Sequence, residues 1–223
     1  MNKTIGSLIV EKVLNALSEV YTKHKSCKYA VLNDVSVVLY GLVKPIEEVR
    51  IVSKSDCAEE LLYTLLKAFN VEENYAEAVK NLRDHGVVAV STIFYPLVVV
   101  ETARSSVDEL LVENTIDVEL DNYVLRIPKV QHLIAKLIHI GFYPYTEYAY
   151  ALLVQWLKRI DTDELISILG KSGIDLEKVA SKLRTVLELS AGFPDLTEEF
   201  KLGIGLVDKL QRKQTQQLFQ SES

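Results

Sequence analysis

Residues 29–52, YAVLNDVSVVLYGLVKPIEEVRIV, constrain the fold of this chain more than any other stretch. Tyr29 to Leu32 reads as a strand, Asn33-Asp34 as a break, and Val35 to Tyr40 as a short apolar helix ending at Gly41. A turn through Pro45 then leads into a second strand. Side chains alternate across a strand. Glu48, Arg50 and Val52 therefore share one face of that second strand, and Val49 and Ile51 share the other.

What surrounds this unit is α+β in character. Residues 5–21 carry Ile5, Leu8, Ile9, Val13, Ala16, Leu17 and Val20 at helical spacing, which predicts a packed first helix. It ends in Lys23, His24, Lys25 and Lys28, a cluster that could meet phosphate but is better read as cations favoured at a helix C-terminus. Asp56 and Glu59 resemble a capping box for a helix to about Phe69, and a second helix is expected over 73–84, stopping at Gly86 with His85 in its last turn. The runs Val87–Phe94 and Leu97–Thr102 are almost continuously β-branched or apolar, as in strands buried on both faces, and are expected in the middle of the sheet. A short helix over 106–114 and a hairpin turning at Asp121-Asn122 follow.

Pro128 is expected to open a helix at Lys129, and from there onward only helices are expected. They fall at about 129–139, 147–160, 162–170, 175–190 and 195–212, with start signals at Asp161/Glu164 and Asp195/Glu198 and stop signals at Gly170, Gly173 and Gly192. This divides the chain into an α+β core at 1–128, a helical cap or subdomain at 129–212, and a frayed Gln- and Ser-rich tail at 213–223.

Composition narrows the function classes. A net charge of −6 disfavours broad electrostatic binding to nucleic acid, and no apolar run approaches the ~20 residues that span a bilayer. Cys27 and Cys57 lack metal-ligand spacing and point to a reducing cytosol, with a disulfide between them left open. The expectation is a cytoplasmic protein. His132 and His139 lie two helical turns apart, too far to share a metal, and no P-loop, GxGxxG or Ser-His-Asp signature is present. Phe142, Tyr143, Tyr145, Tyr148, Tyr150 and Trp156 read first as packing, then as an interface, then as base-stacking rings. Leu196, Phe200, Ile204, Val207 and Leu210 give the last helix an apolar side that could dock on the body or form a homodimer.

The strand, break, helix, Gly41 and second strand resemble the nucleotidyltransferase fold, in the branch seen in toxin-like proteins of bacterial abortive-infection systems. Gly41, Leu42, Val43 and Lys44 fit that family's pattern, as do Leu133, Ile134, Lys136 and Leu137 later in the chain. The family's glycine pair is replaced by Asn33-Asp34, its Thr by Ile46, its Asp-x-Asp by Glu48-x-Arg50, and its later acidic pair by Gln131-His132. Its third carboxylate position falls at Val99.

Nucleotidyl transfer uses paired divalent cations held by carboxylate oxygens, and glycine lets backbone amides approach a triphosphate. Arg50 repels a cation, Val99 supplies no oxygen, and Asn33 and Asp34 obstruct the approach. The resemblance thus implies a nucleotidyltransferase-like mixed sheet carrying a degenerate site, acting as a binding or regulatory module with a protein partner and no cofactor. Lys44, Arg50, Lys136 and Tyr145 are the residues left for a ligand. One alternative is an active enzyme in which Glu48 and a second acid, Glu101 or Asp117, rebuild a Mg²⁺ site. Another is a nucleotide sensor using Lys44 and Arg50. A nucleic-acid module would rely on Lys23, Lys25 and Lys28, against the overall charge. As a plain structural reading, E-x-R on a strand is also a surface salt bridge of small value.

Overall fold

A computed structural model describes residues 5–91, 96–190 and 197–221. It divides into two compact units, residues 1–129 and 130–223.

The first unit is α+β. Helix α1 (Ile5–Lys23) leads to β1 (Tyr29–Leu32), α2 (Asp34–Leu39), β2 (Glu48–Ser53) and α3 (Ser55–Phe69). A 3₁₀ turn at Glu72–Asn74 precedes α4 (Tyr75–His85), then β3 (Val87–Ser91), β4 (Leu97–Thr102), α5 (Ser106–Glu113), β5 (Thr115–Leu120) and β6 (Tyr123–Pro128). Strands β1, β2, β4 and β3 form a mixed sheet in that order, in which only β2 and β4 run parallel, while β5 and β6 form a separate hairpin. Alternation on β2 holds: Val49 and Ile51 are buried, whereas Glu48 and Arg50 are partly open on the other face. Ile9, Val13, Ala16, Leu17 and Val20 make the buried stripe of α1, at the spacing that a 3.6-residue turn requires.

Several expectations are corrected here. Strand β4 is central, but among the described residues β3 is an edge strand bonded on one side, and its Val87 is exposed. A valine run has the same composition at an edge as at a centre, so pairing decides between them. Residues 92–95, including Phe94, lie outside the described residues. Asp56 does not cap α3. The cap position is Lys54, which makes no side-chain cap hydrogen bond, and the Glu59 carboxylate takes Arg83 instead. A full capping box stands at Ser105 and Asp108, before α5. Cys27 and Cys57 form a disulfide with Cα atoms 5.1 Å apart, tying the segment before β1 to the first turn of α3.

The second unit is helical: α6 (Val130–Ile140), α7 (Tyr145–Trp156), α8 (Thr162–Lys171), α9 (Leu176–Ser190) and α10 (Thr197–Ser221). Pro128 closes β6 rather than opening α6. Asp161 caps α8 by accepting the N–H groups of Asp163 and Glu164. Helix α10 lies along α9, with Val207 and Leu210 buried, and Gly203 lets Leu187 approach so closely that a Cβ there would stand 2.6 Å from its methyls. The segment from Lys213 is helical as far as Ser221. Gln, Lys and Arg are good helix formers, and the Gln214 side chain accepts the Leu176 N–H at the start of α9. Gly192, Asp195 and Leu196 lie outside the described residues. Among those described, no helix is long and apolar enough to cross a membrane.

Candidate functional site

The break after β1 folds as it does because Asn33 adopts φ 53°, ψ −126°. That is the geometry of the first central position of a type II′ turn, which glycine fills with least strain. A side chain held there needs compensation. Asn33 is 2% exposed, and its amide donates to Glu48 Oε1 at 2.6 Å instead of capping α2. Its Oδ1 finds no partner among the described residues.

Asp34 is tied down from three sides. Its carboxylate accepts the backbone N–H groups of Glu47 and Glu48 at 2.8 and 3.0 Å and pairs with Lys44. With side-chain exposures of 11% for Lys44 and 6% for Asp34, this pair is sheltered from water. It fastens the loop after Gly41 and the start of β2 to the end of β1. Charged hydrogen bonds of this kind are about twice as strong as neutral ones.

Arg50 then spans two strands. Its Nε and Nη2 grip both oxygens of Glu48 at 2.7 and 3.2 Å, and its Nη1 reaches Glu101 Oε2 on β4 at 2.6 Å. Partial burial alone would lower the guanidinium's basicity, but hydrogen bonds and charge from Glu48 and Glu101 outweigh it and hold Arg50 above its ordinary value. Val99 stands in register with Arg50, and Glu101 lies two residues further along the same face of β4. The site is therefore a connected relay: Lys44 to Asp34, Asp34 to the Glu48 N–H, Asn33 to Glu48, Glu48 to Arg50, Arg50 to Glu101.

Asn33, Asp34, Lys44, Glu48, Arg50 and Val99 are thus brought together in the first unit. Lys136 is buried on α6, and Tyr145 starts α7 between Phe142 and Tyr148 in edge-to-face ring contacts; both belong to the second unit. Of the two acids considered as a second metal ligand, Glu101 faces Arg50. Asp117 sits on the separate hairpin, where it accepts from Tyr21 and Arg126. Among the described residues, no three His, Cys, Asp or Glu side chains gather as a metal-ligand group. In the basic cluster after α1, Lys23 is paired with Glu19, and Lys28 with Glu113. His85 ends α4, as helix-end chemistry predicts. His132 is buried with Nε2 3.6 Å from Glu164, whereas His139 faces solvent.

Sequence reasoning assigned Glu101 only to a metal site and did not see it as the second anchor of Arg50. The available signal was its spacing: two residues beyond Val99 returns to the same face of a strand. The family models and the curated proteins searched contain no match to this chain.

Proposed function

We propose that the first unit is a catalytically degenerate form of the nucleotidyltransferase fold that acts as a binding or regulatory module for a protein partner. The observation that carries this reading is the position of Arg50. Its guanidinium sits between Glu48 and Glu101, the two acids best placed to share a divalent cation, and supplies a fixed positive charge there. Asn33 adds support, because a glycine-type backbone persists at a position where the resembled family carries glycine.

Charge balance points away from a nucleotide as the main ligand. Lys44 and Arg50 are both engaged by carboxylates, so little positive charge remains for a triphosphate. The active-enzyme alternative keeps one favourable feature, since Glu48 and Glu101 converge on a single group. It requires Arg50 to leave both carboxylates so that Mg²⁺ can replace it.

Calorimetric titration with ATP, GTP, CTP and UTP, each with and without Mg²⁺ or Mn²⁺, tests the proposal. Heat in none of these combinations is the expected result. Metal-dependent binding would overturn it and favour the enzyme, whereas metal-independent binding abolished by Arg50→Met would favour a nucleotide sensor.

A further inference from the structure

On the opposite face of β2 from Arg50, the first unit has a partly open cavity of about 100 Å³, lined among the described residues by apolar side chains alone. Buried Leu17, Val31, Val49 and Leu125 form its inner wall, contributed by α1, β1, β2 and β6. Leu14, Leu39, Ile46 and Leu120 line it as well and are only half-buried, so the wall on that side reaches solvent. No polar atom opens onto the space. Water needs two to four polar partners to be held in a cavity, and this one offers none.

We infer that this cavity is a binding site for the short aliphatic end of a small molecule. Its size sets the length. An apolar void of ~150 Å³ takes up benzene, with six heavy atoms, so ~100 Å³ accommodates about four carbons. Its chemistry sets the class: a wholly apolar wall rejects a charged or hydroxyl-bearing group at the inner end, because that group would lose its hydrogen bonds to water. The half-buried rim fixes the orientation, leaving any polar head at the mouth. Val35 of α2 also lines the cavity, two residues from Asn33, so an occupant would press on the helix that follows the polar knot. The inference stands on the cavity alone and does not require the reading of the polar face.

The test is solution NMR of the full chain carrying ¹³C-labelled Val and Leu methyl groups. It is titrated with n-butanol and butyrate, with glycerol as the polar control. Expected are saturable shifts from one site with a Kd of about 1 mM, and ligand-to-protein NOEs confined to methyls such as those of Leu17, Val31 and Leu125. Val35→Phe, which fills the space, should weaken binding at least about tenfold, while Val35→Ala should shift the preference to a chain about two carbons longer. Should Val35→Phe fail to fold, the NOE pattern in the unaltered protein decides the matter. Shifts that stay linear to about 20 mM, or glycerol behaving like butanol, would overturn the inference, as would NOEs located elsewhere.

Discussion

The two faces of β2 solve opposite problems with the same strand. On one, Arg50 draws Glu48 and Glu101 together, and Asn33 and Asp34 join the same relay, so the charges there already have partners. On the other, Val49 and its neighbours leave a cavity that no described side chain fills. The polar face has spent its binding capacity internally, and the apolar face has kept some unspent. A desolvated charge without a counter-charge is severely destabilising, so each charge in a network of this kind is met by an opposite one. A closed void costs only about 24 cal/mol per Å³, so roughly 2 kcal/mol is an upper bound for a partly open one this size, which a folded domain tolerates. Where the chain retains room for a ligand therefore follows from which defect is cheaper to keep.

The largest expected effect breaks the polar face. Arg50→Ala strands Glu48 and Glu101 side by side, partly buried and uncompensated. We expect a loss of about 2–3 kcal/mol in urea unfolding, below the ~3–5 typical of fully buried pairs because the Arg50 side chain is 25% exposed. Adding Glu48→Gln and Glu101→Gln should recover most of that loss, since the repelling charges are then gone. An unchanged midpoint for Arg50→Ala would reduce the relay to a solvated surface pair.

A subtler pair of variants separates backbone from side chain at Asn33. Asn33→Ala keeps the unfavourable conformation and loses the hydrogen bond to Glu48, so it should cost about 2 kcal/mol. Asn33→Gly loses the same bond but relaxes the backbone, and should be the more stable of the two by about 1–2 kcal/mol. Equal stabilities would mean that the backbone there carries no strain for glycine to relieve. In either case, denaturation curves supply the comparison.

These two faces were unequally legible in the sequence. Alternation alone placed Glu48 and Arg50 opposite Val49 and Ile51, and Asn33-Asp34 announced a break because both residues favour turns. Pairing over long separations was harder to read. Glu101 meets Arg50 only because β4 lies beside β2 in one particular register, and Cys57 meets Cys27 across a separation of 30 residues. Local signals also misled where tertiary partners compete. Asp56 and Glu59 have the spacing of a cap, yet Glu59 turns to Arg83 on α4. Gln-rich residues beyond Lys213 looked like a tail until α9 gave Gln214 something to bind. A cavity leaves no mark in sequence at all, since it is the volume that well-chosen apolar residues fail to fill.

The apolar face should respond in the opposite direction to mutation. Val35→Ile adds one methyl group to the cavity, and should raise stability by about 0.5–1 kcal/mol rather than lower it. A loss instead would show that α2 packs without slack, and that the space is too irregular to accept even one carbon.

The smallest effect comes from an exposed mirror image of the Arg50 relay. There one carboxylate, Glu113, lies between two cations, Lys28 and Lys54. Hydrogen bonds from Lys28 and then Lys54 hold its carboxyl below the ordinary carboxylate range. A carboxyl that is more acidic in the folded than in the unfolded chain stabilises the fold above its unfolded value of about 4.3. That contribution fades as pH falls through the lower folded value. Thermal unfolding of the wild type and Glu113→Gln should therefore differ slightly at pH 7 and converge in acid, and salt should shrink the difference at neutral pH. Because this arrangement is solvated, its removal should be felt far less than that of Arg50. If Glu113→Gln proved as damaging as Arg50→Ala, burial would not be what distinguishes the polar face of β2, and the contrast with the cavity side would lose its physical basis.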